Sequence, residues 1–138
     1  MIELEPQNAR VLVVEDDPDN RTVIERLLRM AGMGPRSFIS IEGDAAAYIA
    51  ATGESFDLVF LDLQLPKKDG YQVLSELRAD PRLASMRVVA LTANVTRREV
   101  ERCRESGFDG FIGKPIDGRR FAAYLRMILK GEAVWMED

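Results

Sequence analysis

Short apolar runs alternate with amphipathic segments along the chain. Each run holds two to four consecutive apolar residues, which is too short for a helix and suits a strand. Runs without alternating polar residues are typical of strands that helices cover on both faces. The pattern predicts five strands, at residues 10–14, 38–39, 58–62, 87–91 and 111–112.

The segments between and after these runs carry apolar residues at helical spacing. Asp17 is placed to cap the first helix and Asp117 to cap the last. Thr96 and Glu99 have the spacing of a capping box, and Gly107 is suited to end the helix that they begin. The predicted helices are residues 18–31, 44–51, 71–79, 96–105 and 117–130.

Alternating strands and helices indicate an α/β domain with a parallel sheet and right-handed crossovers. The 138 residues suffice for one domain with its own core. We assign residues 1–9 to an N-terminal lead, residues 10–130 to the domain and residues 131–138 to a C-terminal tail.

Composition restricts the chemistry that the chain can perform. It contains no histidine, so it cannot itself supply an imidazole to a metal, a catalytic triad or a phosphorelay. The single cysteine, Cys103, excludes an internal disulfide and suits a reducing compartment. No apolar run approaches the length of a membrane span. We therefore expect a cytoplasmic protein, with Cys103 as a small buried residue.

The net charge of −4 is distributed unevenly. Between residues 95 and 130 there are nine basic and five acidic residues, so this part carries +4 and the remainder carries −8. Mixed charges on helices usually form a solvated face. A basic half on an acidic protein nevertheless suggests a polarised surface for a partner.

The predicted strands end in residues that can carry chemistry. Glu15 and Asp16 follow the first strand, Asp62 ends the third, Thr92 follows the fourth and Lys114 follows the fifth. The carboxyl ends of parallel strands meet at one edge of a sheet, where ligands bind. Clustered carboxylates there favour a hard cation such as Mg²⁺, with the lysine and hydroxyl facing an anion. A simpler interpretation is that Asp62 only caps the loop after its strand.

Four motifs together resemble the receiver domain of two-component response regulators. They span nearly the whole chain, and the resemblance implies the CheY-like, flavodoxin-like fold, a three-layer sandwich with strand order 2-1-3-4-5. The matching segments are Val13-Val14-Glu15-Asp16-Asp17, Leu61-Asp62-Leu63-Gln64-Leu65-Pro66 with Asp69-Gly70, Leu91-Thr92-Ala93, and Lys114-Pro115.

The resemblance implies that Asp62 accepts a phosphoryl group from a phosphohistidine on a partner. It implies that Asp16 and Asp62 bind Mg²⁺ directly, with the backbone carbonyl of Gln64 as a third ligand and Glu15 acting through water. Thr92 would hydrogen-bond the phosphoryl oxygens, and Lys114 would pair with them.

The resemblance also implies a conformational switch. Phosphorylation would draw Thr92 inward, and Phe111 would follow into the space that Thr92 leaves. Many receivers have tyrosine at the position of Phe111, so any contact through that hydroxyl is lost here. The family further implies a cis peptide bond between Lys114 and Pro115.

The partner implied by the family is a sensor histidine kinase or a histidine phosphotransfer protein. We expect a stand-alone receiver that is not an enzyme beyond self-phosphorylation and autodephosphorylation, with no direct DNA binding and no membrane contact. Its output would be protein–protein contact through the face of the fourth helix, fifth strand and fifth helix. For Trp135 in the tail, packing on the domain is the commoner outcome and a partner patch is the alternative.

Two other functions are compatible with this fold. A phosphorylation-independent scaffold with the same fold would be expected to lack the acidic pocket, which this sequence retains. An aspartate-dependent phosphatase requires a second carboxylate two residues after the nucleophile, where this chain has Gln64.

Overall fold

A parallel sheet forms the centre of the protein in the computed structural model, which describes residues 4–83 and 85–136. Every neighbouring pair of strands is parallel, and the order is β2-β1-β3-β4-β5-β6. β1 and β3 are buried along their whole length, as their uninterrupted apolar runs predict. The strands are β1 (Val11–Val14), β2 (Phe38–Ile41), β3 (Leu58–Asp62), β4 (Arg87–Thr92), β5 (Gly110–Gly113) and β6 (Trp135–Met136).

Helices cover both faces of the sheet and divide the core into two clusters. Val11 and Val13 belong to the cluster under the first and last helices, while Leu12 and Val14 belong to the cluster under the other three. This alternation follows from the two-residue repeat of a strand. Within the described residues, no helix is long and apolar enough to cross a bilayer. The helices are α1 (Pro18–Met30), α2 (Ala45–Thr52), α3 (Gly70–Arg78), α4 (Arg97–Ser106) and α5 (Phe121–Leu129).

The predicted five-stranded, doubly wound fold with order 2-1-3-4-5 is confirmed. Three of the predicted helix boundaries are confirmed at the atomic level. The Asp17 side chain accepts hydrogen bonds from two backbone amides of α1, and the Thr96 side chain accepts one from Glu99 N. Gly107 ends α4 with a positive φ of 101°, which glycine adopts without steric cost.

The predicted start of the last helix is wrong. α5 begins at Phe121 after Arg120, and Asp117 lies in the preceding turn, where its Oδ1 accepts a hydrogen bond from Arg119 N at 3.0 Å. Aspartate commonly makes this local bond to the amide two residues on, and the bond competes with helix formation. Gly118 also disfavours an earlier helical turn.

A sixth strand, β6, extends the sheet beyond the predicted five. Trp135 is the register partner of Phe111, and Phe111 N donates to Val134 O at 2.7 Å. Two residues give too little pattern for a strand to be recognised in the sequence. Residues 134–136 of the tail therefore pack on the domain, the commoner of the two outcomes for Trp135.

Gly70 provides a test of the close packing between β3 and α3. A Cβ at this position would lie 2.8 Å from Asp62 O and 2.8 Å from Leu63 Cα, both of which are backbone atoms. We expect Gly70→Ala to lower the free energy of unfolding by about 1–3 kcal/mol, the usual cost of overpacking. Urea denaturation measures the change. Gly43→Ala is the matched control, because no atom lies within 4 Å of its added Cβ; equal stability of the two variants would contradict the packing argument.

Candidate functional site

The carboxyl ends of β1, β3, β4 and β5 bring the predicted site residues to one edge of the sheet. Asp62 and Thr92 are the last residues of β3 and β4, and Lys114 follows β5 directly. Of the side chains that the structure describes, the only buried polar or charged ones are Glu15, Asp62 and Thr92. Burial of such groups is unfavourable unless they are paired, so their collection at one edge requires compensating contacts.

Lys114 supplies the compensating charge. Its Nζ lies 2.5 Å from Glu15 Oε1 and 3.0 Å from Asp62 Oδ2, so one ammonium group bridges two carboxylates. Glu15 is fully buried and Asp62 is 4% exposed, so both carboxylates are largely removed from water. Charge-assisted hydrogen bonds of this kind are stronger than those between neutral groups.

The pKa values of Glu15 and Lys114 are both raised in this cluster. Burial raises the pKa of Glu15, and the neighbouring Asp62 carboxylate raises it further. Burial by itself would lower the pKa of Lys114, but the hydrogen bonds and charges of Glu15 and Asp62 outweigh it and the pKa is raised. Lys114 is therefore held as a cation, while adjacent carboxylates repel one another.

Asp62 also organises the loop that follows it. Its second oxygen, Oδ1, accepts a hydrogen bond from the backbone amide of Gln64 at 2.9 Å. The simpler interpretation of Asp62 as a loop cap is thus correct for one oxygen, while Lys114 binds the other. These two contacts hold the carboxylate in a defined orientation.

Thr92 is 1% exposed at the end of β4. Its Oγ1 accepts a hydrogen bond from Asn94 N at 3.0 Å, and its carbonyl accepts one from Lys114 N at 2.8 Å. A hydroxyl that accepts from an amide still has its proton to donate. Thr92 can therefore donate to an anion, and its backbone links β4 to the lysine.

A cation fits the acidic side of the site. Glu15, Asp16 and Asp62 each offer a carboxylate oxygen, and these oxygens lie within 4.8 Å of one another. Asp16 is half-buried, which leaves one side of the cluster accessible. Hard carboxylate oxygens are the ligands that Mg²⁺ prefers. The role of the Gln64 carbonyl as a further ligand stays a prediction.

Arg21, on α1, is a contributor that the sequence did not reveal. Its Nη1 donates to the carbonyls of Glu15 at 2.8 Å and Asp16 at 3.1 Å. These bonds fix the backbone of the acidic pair against α1. No signal marks this residue in the sequence, because it differs from the other helix arginines only in its tertiary contacts.

The structure also places the predicted cis bond, Phe111 and Cys103. The Lys114–Pro115 peptide bond is cis, as the family resemblance implied. Phe111 is fully buried in the cluster under α2, α3 and α4. Cys103 is fully buried in the same cluster, and burial raises the pKa of its thiol, so it is not a reactive site.

Comparisons with known proteins agree with this geometry. The family model described as the response regulator receiver domain matches residues 11–126. The sensor protein GacS of Pseudomonas syringae pv. syringae is 37% identical over 116 residues, which cover 82% of this chain and 12% of GacS. The transcriptional regulator RpaA of Synechocystis is 34% identical over 122 residues, covering 88% of this chain and 49% of RpaA. The chain thus spans less than half the length of these curated relatives.

Solved structures share the fold. The receiver domain of the sensor histidine kinase PA1611 from Pseudomonas aeruginosa, which has a magnesium ion coordinated in its active-site cleft, aligns with a TM-score of 0.70 and 32% identity. That alignment covers 88% of this chain and 93% of the other. The Vibrio cholerae chemotaxis protein CheY4 aligns with a TM-score of 0.75 at 20% identity, covering 87% and 98% of the two chains, and supports the fold alone. With its motifs, strand order and acidic edge, the chain belongs to the response regulator receiver domain family.

Proposed function

We propose that this receiver accepts a phosphoryl group on Asp62 from a phosphohistidine of a sensor histidine kinase or a histidine phosphotransfer protein. The observation that carries the proposal is the Lys114 ammonium group, which contacts both Asp62 and Glu15 at the sheet edge. These 138 residues contain no histidine, so they cannot themselves supply the phosphohistidine.

The transfer forms one covalent bond and breaks one. An oxygen of Asp62 attacks phosphorus, the bond between phosphorus and the histidine nitrogen breaks, and its electron pair remains on the imidazole. A carboxylate is a competent nucleophile for such a step. Catalysis then depends on positioning and on neutralising the phosphoryl oxygens. Lys114 supplies positive charge, and Thr92 can donate a hydrogen bond.

Mg²⁺ is the cofactor of this proposal. Asp16 and Asp62 would bind it, with the Gln64 carbonyl as a further ligand and Glu15 acting through water. When bound, the ion neutralises negative charge on the carboxylates and on the incoming phosphoryl group. The carboxylate cluster supports this assignment, as does the magnesium ion in the related PA1611 receiver.

The proposed output is a change around Thr92 and Phe111 that alters contact with a downstream protein. Both residues are buried and lie in adjacent strands, where Thr92 pairs with Gly113 and Phe111 with Ala90. Movement at Thr92 would be transmitted to β5 through this pairing. We propose that the chain performs no other enzymatic reaction and signals without contacting DNA.

The proposed partner surface comprises α4, α5 and the sheet edge between them. Arg97 and Arg98 are exposed on α4, and Arg119 is exposed in the turn that leads into α5. β6 covers the outer edge of β5, so a partner would meet the tail strand between the two helices. This surface differs in charge from the acidic phosphorylation site, which favours separate docking of the kinase and the downstream protein.

Asp62→Asn tests the phosphorylation site. Incubation with acetyl phosphate and Mg²⁺ should add the mass of one phosphoryl group to the wild type and none to the variant, because an amide is not a nucleophile for this step. Intact mass spectrometry measures the increment. Asp80→Asn, which changes a half-buried loop aspartate paired with Arg82, should retain it. An unchanged increment in Asp62→Asn would disprove the assignment.

Mg²⁺ binding is tested by stability. At a concentration about 100-fold above its Kd, the ion should raise the free energy of unfolding of the wild type by about 2.7 kcal/mol. Asp16→Ala should remove most of this effect, because it deletes a ligand. Thermal unfolding with Mg²⁺ and with EDTA gives the comparison. Asp19→Ala removes an exposed carboxylate from the same helix start and should leave the effect intact. Coincident wild-type midpoints would exclude the metal site.

Charge reversal tests the partner surface. Arg97→Glu and Arg119→Glu should each weaken binding of the phosphorylated protein to its downstream partner on the order of tenfold, about 1.4 kcal/mol, and leave Asp62 phosphorylation intact. Arg26→Glu on α1 and Arg36→Glu before β2 are controls at exposed arginines outside α4, β5 and α5. Arg78 is unsuitable as a control, because it binds Asp109 and the carbonyls of Met86 and Gly107. Equal losses in all four variants would indicate diffuse attraction without a localised surface.

A further inference from the structure

The C-terminal segment at residues 134–136 is built into the edge of the sheet beside Phe111. Val134 O accepts a hydrogen bond from Phe111 N at 2.7 Å, and Val134 itself is 3% exposed in the cluster under α1 and α5. The next residue, Trp135, packs on the opposite face, in the cluster under α4. The segment therefore contacts both halves of the core.

Gly110 makes this docking possible. A Cβ at residue 110 would lie 2.9 Å from Val134 O and 3.3 Å from Val89 Cγ2. Any larger residue would push the segment away from β5. The close approach shows that β5 and the tail are fitted to each other.

Trp135 lies beside the predicted switch residue. Phe111 and Trp135 are register partners in neighbouring parallel strands, so their side chains project from the same face about 4.8 Å apart along the sheet. The Arg104 guanidinium lies over the Trp135 ring, 4.7 Å from its centroid. Phe111 has zero exposure, and Trp135 beside it in the register is half-buried and belongs to the same core cluster.

We propose that Trp135 is a positioning residue for the switch: the docked tail holds Phe111 inside the core and thereby strengthens binding of a phosphoryl group at Asp62. This proposal rests on the proposed function of Asp62, Thr92 and Phe111. A Phe111 ring that turned out of the core on this face would enter the space of the indole. Docking of the tail and the outward position of Phe111 therefore exclude each other.

The coupling acts in both directions. If phosphorylation draws Phe111 inward, it favours the arrangement on which Trp135 packs. Linkage then requires that the docked tail increase the affinity of the site for a phosphoryl group by the factor by which phosphorylation favours docking of the tail. A tail that merely covered the sheet edge would stabilise the fold without changing that affinity.

The first experiment measures the affinity of the full chain for beryllofluoride, an anion that mimics a phosphoryl group on a carboxylate, by calorimetry with saturating Mg²⁺. We expect Trp135→Ala to weaken binding by about fivefold or more, the lower end of usual allosteric coupling. Trp135→Phe should restore most of the affinity. Gly110→Ala should weaken binding as well, because it displaces the tail without changing the indole.

Tyr48→Ala is the matched control. Tyr48 is another half-buried aromatic residue of the same cluster, but it lies on α2, where its ring partner is Phe56 and its hydroxyl donates to Glu54. Its loss should lower stability and leave the beryllofluoride affinity within twofold of wild type, about the scatter for sites that share no partners. Equal losses in Tyr48→Ala and Trp135→Ala would overturn the proposal, as would an unchanged affinity in Trp135→Ala.

The second experiment uses Trp135 as its own reporter, since it is the only tryptophan. Beryllofluoride with Mg²⁺ should reduce acrylamide quenching of its fluorescence in the wild type and have no effect in Asp62→Asn. Unchanged or increased quenching in the wild type would overturn the proposal. The two hypotheses fail differently: if the wild type does not bind beryllofluoride at all, the proposed function is wrong, whereas binding without any response at Trp135 refutes only the role of the tail.

Discussion

The bridge from Lys114 to Glu15 and Asp62 is the interaction on which the functional edge of this protein depends. Two buried carboxylates would repel each other and lose hydration, and the ammonium group between them offsets both costs. Without that cation, keeping both carboxylates charged inside the sheet edge would be less favourable. The same charge that stabilises the cluster is the charge that a phosphoryl group requires.

The bridge joins residues that are 99 positions apart in the chain, and only the parallel sheet can bring them together. β1, β3, β4 and β5 are neighbours, so their carboxyl ends converge without any long loop. Backbone contacts then set the side chains: Asp62 accepts from Gln64 N, Thr92 O accepts from Lys114 N, and Arg21 binds the carbonyls of the acidic pair. The site is thus placed on rigid strands and oriented by hydrogen bonds around it.

β5 connects the functional edge of the sheet to the C-terminal segment through Phe111. Phe111 faces the core, while its backbone amide holds the tail through Val134. One residue therefore contacts the interior of the domain and the C-terminal segment. A rearrangement near Thr92 can therefore affect both the core around Phe111 and the C-terminal segment, because a densely packed interior transmits strain.

Local signals in the sequence determined the succession of strands and helices along the chain and the residues at the strand ends. They also determined the helix caps at Asp17, Thr96 and Gly107. These could be predicted because apolar runs, capping side chains and glycine act over a few residues. The family motifs added the strand order and the cis bond, whereas the contact between Asp62 and Lys114 came only from the structure.

Contacts between distant segments were decided only by the tertiary structure. Asp117 was expected to cap a helix, but its carboxylate accepts a hydrogen bond within the preceding turn. The sequence does not distinguish the two, because an aspartate can satisfy its carboxylate with a helix-capping bond or with a turn bond. Arg21 and β6 carry no local pattern at all. Their roles arise from neighbours that folding supplies, the carbonyls after β1 and the open edge of β5 at Gly110. A sequence records which groups can form a contact, but proximity in three dimensions selects the contact that forms.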